Sequence, residues 1–314
     1  MRQSMERRWV APFAVDVASV LSVHRRGTGD PAFAIDHAGA IWRACGTPDG
    51  PGTIRIAWRY VTADDRPGTR VTLADAHAWG SGADWLLENM PVLLGADDRP
   101  EDFAPEHPAL RELARRHGQI RIGRSCLVFE SLAPAVLEQK VVGKEAWRSW
   151  RLLLRRFGDS APGPAPAGMR VPPGPAAWAS IPSWEWHRAG VEAVRARTIA
   201  AAARVAGRLE EILDLPPNQA DRRLQALPGL GVWTSAEVRQ RACGDPDALS
   251  VGDYHLPAIV GMALVGRPVD DAGMLQLLAP YQGQRHRASV LTWFSGVRPE
   301  RRGPRLSIRD YRAF

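Results

Sequence analysis

The sequence predicts an α+β protein, with an amino-terminal part of short strands followed by a longer all-helical part. Three observations carry this. From about residue 11 to 90, short alternating runs are broken by clusters such as Gly27-Thr-Gly-Asp-Pro31 and Thr47-Pro-Asp-Gly-Pro-Gly52, the pattern of strands joined by turns. After about Pro108 apolar residues recur three and four positions apart, as helices burying one face require. A chain of 314 residues that is 45% hydrophobic can bury one large core or two ordinary ones.

In chain order, the β-rich part is assigned to residues 1–107, with strands at Val15–Val23, Thr53–Val61 and Arg70–Leu73. Residues 108–297 hold helical patterns at Leu110–His117, Leu132–Phe157, Val191–Leu213, Ala220–Leu227, Trp233–Ala242, Leu256–Val265, Met274–Ala279 and Arg287–Phe294. Within them, residues 158–175 carry Pro162, Pro164, Pro166, Pro172, Pro173 and Pro175. Such a stretch is expected to be an extended loop inside a two-lobed helical domain. The tail 298–314 is rich in arginine from Arg298 to Arg312, and reads equally as a solvated end or a phosphate contact. No internal repeat is present.

Composition narrows the class. Three cysteines, Cys45, Cys126 and Cys243, are too few and too far apart for a disulfide framework or a four-thiolate metal site. The first residues lack the apolar core of a signal peptide, and no run approaches the ~18 apolar residues of a membrane span; a cytoplasmic protein without membrane contact is expected. The net charge of +7 is compatible with a polyanion partner. Of the 41 basic residues, all but Lys140 and Lys144 are arginine, which reads as coding bias.

The informative segment is Leu224-Gln-Ala-Leu-Pro-Gly-Leu-Gly-Val-Trp-Thr-Ser-Ala-Glu-Val238. Pro228 stops one helix, Gly229 and Gly231 turn the chain, and a second helix restarts at Val232. A hairpin of this kind leaves the first N–H groups of the second helix facing outward with no side chain to keep an anion away. A phosphate fits, and a contact through backbone carries no sequence preference. Further on, Asp253 stands in Leu249-Ser-Val-Gly-Asp-Tyr-His-Leu-Pro257, just before another helix. Taken alone, such an Asp is an ordinary helix cap.

Together these features resemble the helix-hairpin-helix DNA glycosylase superfamily, in particular its 3-methyladenine DNA glycosylase II branch. The match lies in Leu227, Pro228, Gly229 and Gly231 for the hairpin and in Asp253-Tyr254 for the catalytic acid. It extends to Leu137-Glu-Gln-Lys-Val-Val-Gly-Lys-Glu-Ala146, similar to the branch's Leu-x-Gln-x-Val helix. The resemblance covers about residues 108–296, and more weakly an antiparallel β domain before them. It implies an N-glycosylase that flips out alkylated purines of the 3-methyladenine or 7-methylguanine type and leaves an abasic site, with Asp253 as catalytic carboxylate. Leu227, Pro228, Gly229, Leu230, Gly231 and Thr234 would meet the DNA backbone. Gln139, Trp233, Glu237, Tyr254, Trp186 and His187 would line the base pocket, and Lys140 and Arg285 would enter or touch the DNA. Bifunctional relatives carry Lys where this chain has Trp233, so hydrolysis without strand nicking is implied.

The partner implied is double-stranded DNA containing a damaged base, bound by a monomer. No cofactor is expected, with a Na+ or K+ ion among the hairpin carbonyls as the open alternative. The chain departs from the branch at Glu237 and Gln284, where rings are expected, and at Lys140, where an apolar wedge is expected. Two other readings therefore stand beside the first: a non-catalytic DNA-damage binder, or a glycosylase for a deaminated or bulky lesion.

Overall fold

A computed structural model of the chain describes residues 4–298; the expected arginine-rich tail beyond Arg298 lies outside the described residues. The β-rich part is one antiparallel sheet in the order β1-β5-β4-β3-β2, from β1 (Met5–Ala11), β2 (Phe33–Ile35), β3 (Ile41–Thr47), β4 (Gly50–Ala63) and β5 (Arg66–Gly80). Ala74, Ala76 and Ala78 of β5 alternate onto one face and are buried there. Their small side chains let α2 (Ala83–Leu93) lie close, with Leu86, Leu87 and Met90 in the same core.

The run Val15–Val23 is not the expected strand. It forms α1 (Val17–Ser22), because the Asp16 carboxylate accepts the Ser19 N–H at 3.0 Å and caps it. Val17, Val20 and Leu21 fall three and four apart and are buried, so helical spacing outweighs the β preference of valine.

On the other face of the sheet Trp42 stacks on Trp79, with ring centres 5.3 Å apart. Residues 158–175 cover this face, and they are more ordered than a loop. Within them β6 (Asp159–Ser160) pairs with β7 (Arg170–Val171), and Met169 and Val171 pack against Trp42 and Ala44. The six prolines flank the paired positions instead of occupying them.

The helices are α3 (Pro108–Arg116), α4 (Val128–Leu137), α5 (Gly143–Phe157), α6 (Pro175–Ser180), α7 (Ser183–Arg188), α8 (Ala193–Arg204), α9 (Ala206–Glu210), α10 (Pro217–Gln225), α11 (Val232–Val238), α12 (Leu256–Val265), α13 (Asp271–Leu278) and α14 (Arg285–Trp293). They enclose two cores. One is built from α4 to α11 around Leu132, Trp150, Trp178 and Ile199. The other joins α12, α13 and α14 to α3 through Leu110, Val260 and Met274. The continuous pattern expected over Leu132–Phe157 is two helices, separated by a turn at 138–142 in which Lys140 has φ +55°.

Sheet and helices are tied by buried polar contacts. Glu130 of α4 accepts from Arg43 Nη2 of β3 at 2.7 Å and from the Gly46 N–H at 3.1 Å. Asp30 accepts from Trp150 Nε1 at 2.8 Å, and Arg26 meets Glu138 at 3.4 Å.

Candidate active site

The hairpin follows from its local sequence. The Leu227 N–H closes the end of α10 on the Leu224 carbonyl at 3.1 Å, and the Leu230 N–H turns back to the Leu227 carbonyl at 3.1 Å. Gly229 sits at φ +92°, and a Cβ there would lie 2.3 Å from Thr198 Oγ1 of α8; only glycine satisfies both constraints. Gly231 opens α11 in an extended conformation, and no side chain caps that helix. Pro228, Gly229 and Gly231 are exposed.

The other three residues expected at the DNA backbone are anchors. Leu230 is buried in the helical core, Leu227 packs against it, and Thr234 is 2% exposed. The Thr234 hydroxyl already accepts from Gln139 Nε2 at 2.8 Å.

Gln139 lies in the turn after α4, not on a helix, and its amide is spent on the hairpin: Nε2 also donates to the Gly229 carbonyl at 2.9 Å. It clamps the turn to the hairpin. Lys140, the next residue, is exposed at the tip of that turn.

Asp253 is half-buried and uses its two oxygens differently. Oδ1 accepts the His255 and Leu256 N–H groups, both at 2.8 Å, and so caps α12. Oδ2 faces Trp233 of α11, whose Nε1 donates to it at 3.3 Å. The cap and the oriented carboxylate are one residue.

One turn beyond Trp233, Glu237 accepts from Ser250 Oγ at 2.6 Å through Oε1 and from Arg241 Nη1 at 2.7 Å through Oε2. Burial alone would raise its carboxyl, but Arg241, the Ser250 hydroxyl and Arg26 outweigh it and hold Glu237 below the usual carboxylate range. Arg241 Nε reaches across to the Val23 carbonyl at 3.0 Å. It belongs to a π-turn, Arg239–Cys243, where Gln240 Nε2 donates to the Ala248 carbonyl at 2.6 Å and to Ser250 Oγ at 2.8 Å. This turn fixes the loop that carries Asp253. His286 lies in the same charged set: burial, with Arg241, Arg287 and Arg239, overrides the opposing pull of Glu237 and lowers it to about 3. His24 is likewise held well below the usual range by burial, Arg43, Arg241 and Arg26.

The remaining candidates stand apart. Tyr254 is 82% exposed, with its ring edge-on to His255. Trp186 is a core residue, 4% exposed, stacked 5.5 Å from Trp178 and donating to the Ile181 carbonyl at 3.2 Å. His187 is exposed at the end of α7. Arg285 grips Asp247 through Nε at 2.8 Å and Nη2 at 2.5 Å, which braces the loop after the π-turn. Sequence reasoning missed His24, Arg26, Glu138, Ser250 and His286, which meet only through tertiary packing. Arg241 had a signal, its place four residues after Glu237 on a helix. Among the described residues no group of His, Cys, Asp and Glu is arranged to hold a metal ion.

No protein-family model matches the chain, and no curated protein matches it. Solved structures do. A 3-methyladenine DNA glycosylase from Archaeoglobus fulgidus is similar over 92% of this chain and 97% of its own, at 19% identity and a TM-score of 0.70. A Clostridium acetobutylicum 8-oxoguanine glycosylase/lyase, solved with duplex DNA, is similar over 92% of this chain and 97% of its own, at 11% identity and a TM-score of 0.66. The chain has the fold of these DNA glycosylases. A Schizosaccharomyces pombe 3-methyladenine DNA glycosylase, solved with abasic DNA, shares the glycosylase fold over 62% of this chain and 94% of its own, at 18% identity and a TM-score of 0.50. The first two overlaps take in both sheet and helices, so the β-rich part is integral to the glycosylase fold seen here.

Proposed function

We propose that the protein is a DNA glycosylase that turns a damaged base out of duplex DNA and hydrolyses its N-glycosidic bond. One observation carries this: a half-buried carboxylate, Asp253, is held by two backbone N–H groups and an indole beside an exposed Pro-Gly-x-Gly hairpin. The hairpin meets phosphates through backbone N–H groups, which positions the duplex without reading its sequence. Unstacking is least costly at a damaged pair. As the bond between C1′ and the base nitrogen lengthens, positive charge grows on the sugar and the Asp253 carboxylate stabilises it. Water then adds at C1′, Asp253 takes its proton, the base leaves with the bonding electrons, and an abasic sugar remains.

An N-alkylated purine already bears positive charge and leaves without a general acid. Neither lysine lies on α11 or in the Asp253 loop, which supports hydrolysis without an imine to the protein. These steps use protein side chains only. An alkali-metal ion at the hairpin would share the Leu227 and Gly229 carbonyls, which already accept hydrogen bonds, and no step depends on it. The charged group of Glu237, Arg241 and Ser250, where a ring is expected, favours a second reading: a lesion with polar edges, such as a deaminated or bulky base.

Incubation with duplexes carrying 3-methyladenine or 7-methylguanine tests the proposal, and release of free base is the expected result. Asp253→Asn keeps an oxygen to cap α12 but removes the charge, so release should fall by at least about 100-fold with DNA affinity near wild type. Release of only deaminated or bulky bases would transfer the assignment to the second reading, and duplex binding with no release from any lesion would overturn both.

A further inference from the structure

Two of the three cysteines, far apart in sequence, are brought together by packing. Cys126 lies in the segment that leads into α4, and Cys243 ends the π-turn Arg239–Cys243. The Ser125 N–H donates to the Arg241 carbonyl at 2.8 Å, and the Cys126 N–H to the Ala242 carbonyl at 3.1 Å. Alongside them Gly244 rests against Arg124, where an added Cβ would lie 3.1 Å from the Arg124 Cβ. The second hydrogen bond joins Cys126 to the peptide unit that precedes Cys243, so standard bond lengths keep the two Cα atoms within about 7 Å, the reach of a disulfide. Both thiols are free and half-buried. Burial, Asp245 and the neighbouring Cys126 thiol push Cys243 up to about 12 against Arg239 and Arg124. Cys126 holds φ +53°, a conformation that a residue with a Cβ resists, so backbone geometry alone would favour glycine there. Cys45, by contrast, is wholly buried in the core beneath the sheet.

We infer that Cys126 and Cys243 are an oxidisable pair that a peroxide converts to an intramolecular disulfide, stapling the π-turn to the entry of α4. This pairing is independent of the glycosylase reading. The Cys126 sulfur gives up its proton and attacks one oxygen of hydrogen peroxide; the O–O bond breaks, a sulfenic acid forms and the first water leaves. The Cys243 sulfur then attacks the Cys126 sulfur, and the sulfenic hydroxyl departs with the Cys243 proton as a second water. Two electrons and two protons pass from the thiols to the peroxide. Burial also raises the Cys126 thiol, so thiolate is scarce and the pair stays reduced until peroxide is abundant. The disulfide closes a long loop that takes in α4 to α11, which restricts the unfolded chain. It also secures the turn whose Gln240 holds the Ala248 carbonyl and Ser250 Oγ, ahead of Asp253.

The test is treatment of the whole protein with millimolar hydrogen peroxide, followed by alkylation of the remaining thiols in denaturant, peptide mapping by mass spectrometry without reduction, and thermal unfolding. Free thiols should fall from three to one, and one peptide pair joined through Cys126 and Cys243 should appear. The unfolding midpoint should rise by at least about 3 °C and return when dithiothreitol is added. Cys126→Ser and Cys243→Ser should each abolish the joined pair and the rise, whereas Cys45→Ala should keep both. Three thiols that persist, sulfinic or sulfonic acid in place of a bridge, a bridge to Cys45 or between two molecules, or a Cys126–Cys243 bridge that leaves the midpoint unchanged or lower overturns the inference. None of these results bears on base release, so the glycosylase reading stands or falls separately.

Discussion

Asp253 shows how one side chain can serve the fold and, in the proposed reaction, the chemistry. Its Oδ1 holds the start of α12, so the residue type follows from helix capping alone. Its Oδ2 faces Trp233, which no local rule requires. The position was legible in the sequence because a cap is a local event. The pocket residues were not, because the direction of a ring or an amide is settled by what packs against it: Tyr254 faces solvent, Trp186 joins the core and Gln139 turns to the hairpin. His286 carries a prediction at this scale. With its pKa lowered to about 3 by burial and by Arg241, Arg287 and Arg239 against the pull of Glu237, the folded protein keeps it neutral where the unfolded chain protonates it near pH 6.5. The unfolded state then binds more protons between these values, so stability is full above pH 6.5 and is lost progressively as pH falls toward 3. Thermal unfolding followed from pH 7 to pH 4 should show this decline, and His286→Gln should make it shallower.

At the level of elements, the hairpin was fully legible, since Pro228, Gly229 and Gly231 each impose a backbone state. Its two glycines have different reasons. Gly229→Ala meets both φ +92° and Thr198 Oγ1, and should cost about 2 to 4 kcal/mol, measured by denaturant unfolding. Gly231→Ala finds open space; stability should stay within about 0.5 kcal/mol, while affinity for duplex DNA should drop, because the new methyl group stands at the proposed phosphate contact. The elements that misled are those where two patterns compete. Val15–Val23 has the composition of a strand and the spacing of a helix, and the Asp16 cap decided it. The break at 138–142 has no proline or glycine until Gly143, and its left-handed Lys140 leaves no mark in the sequence.

Over the whole molecule, sheet and helices are joined by ions as well as by apolar packing. Arg43 and Glu130 are nearly buried, with side-chain exposures of 8% and 15%, and burial raises the Glu130 carboxyl in spite of Arg43. Glu130→Gln leaves the Arg43 charge without its counterion and should cost about 3 kcal/mol; the double change Arg43→Met with Glu130→Gln should cost less. Denaturant midpoints of the two variants against wild type check this. Nothing in the sequence pairs residues so far apart, whereas the division into a strand part and a helical part was legible from periodicity alone.

The core shared by α3 with α12, α13 and α14 has a consequence in time. The chain makes α3 early, then builds the whole of α4 to α11 before the partners of Leu110 and Leu113 exist. On the ribosome those leucines wait uncovered, and closure of so long a loop slows the final collapse. The loop bearing Asp253 leads directly into α12, so the Asp253 carboxylate is set in place only when that core closes. A nascent chain without α12, α13 and α14 thus has its hairpin before the Asp253 carboxylate is fixed beside it.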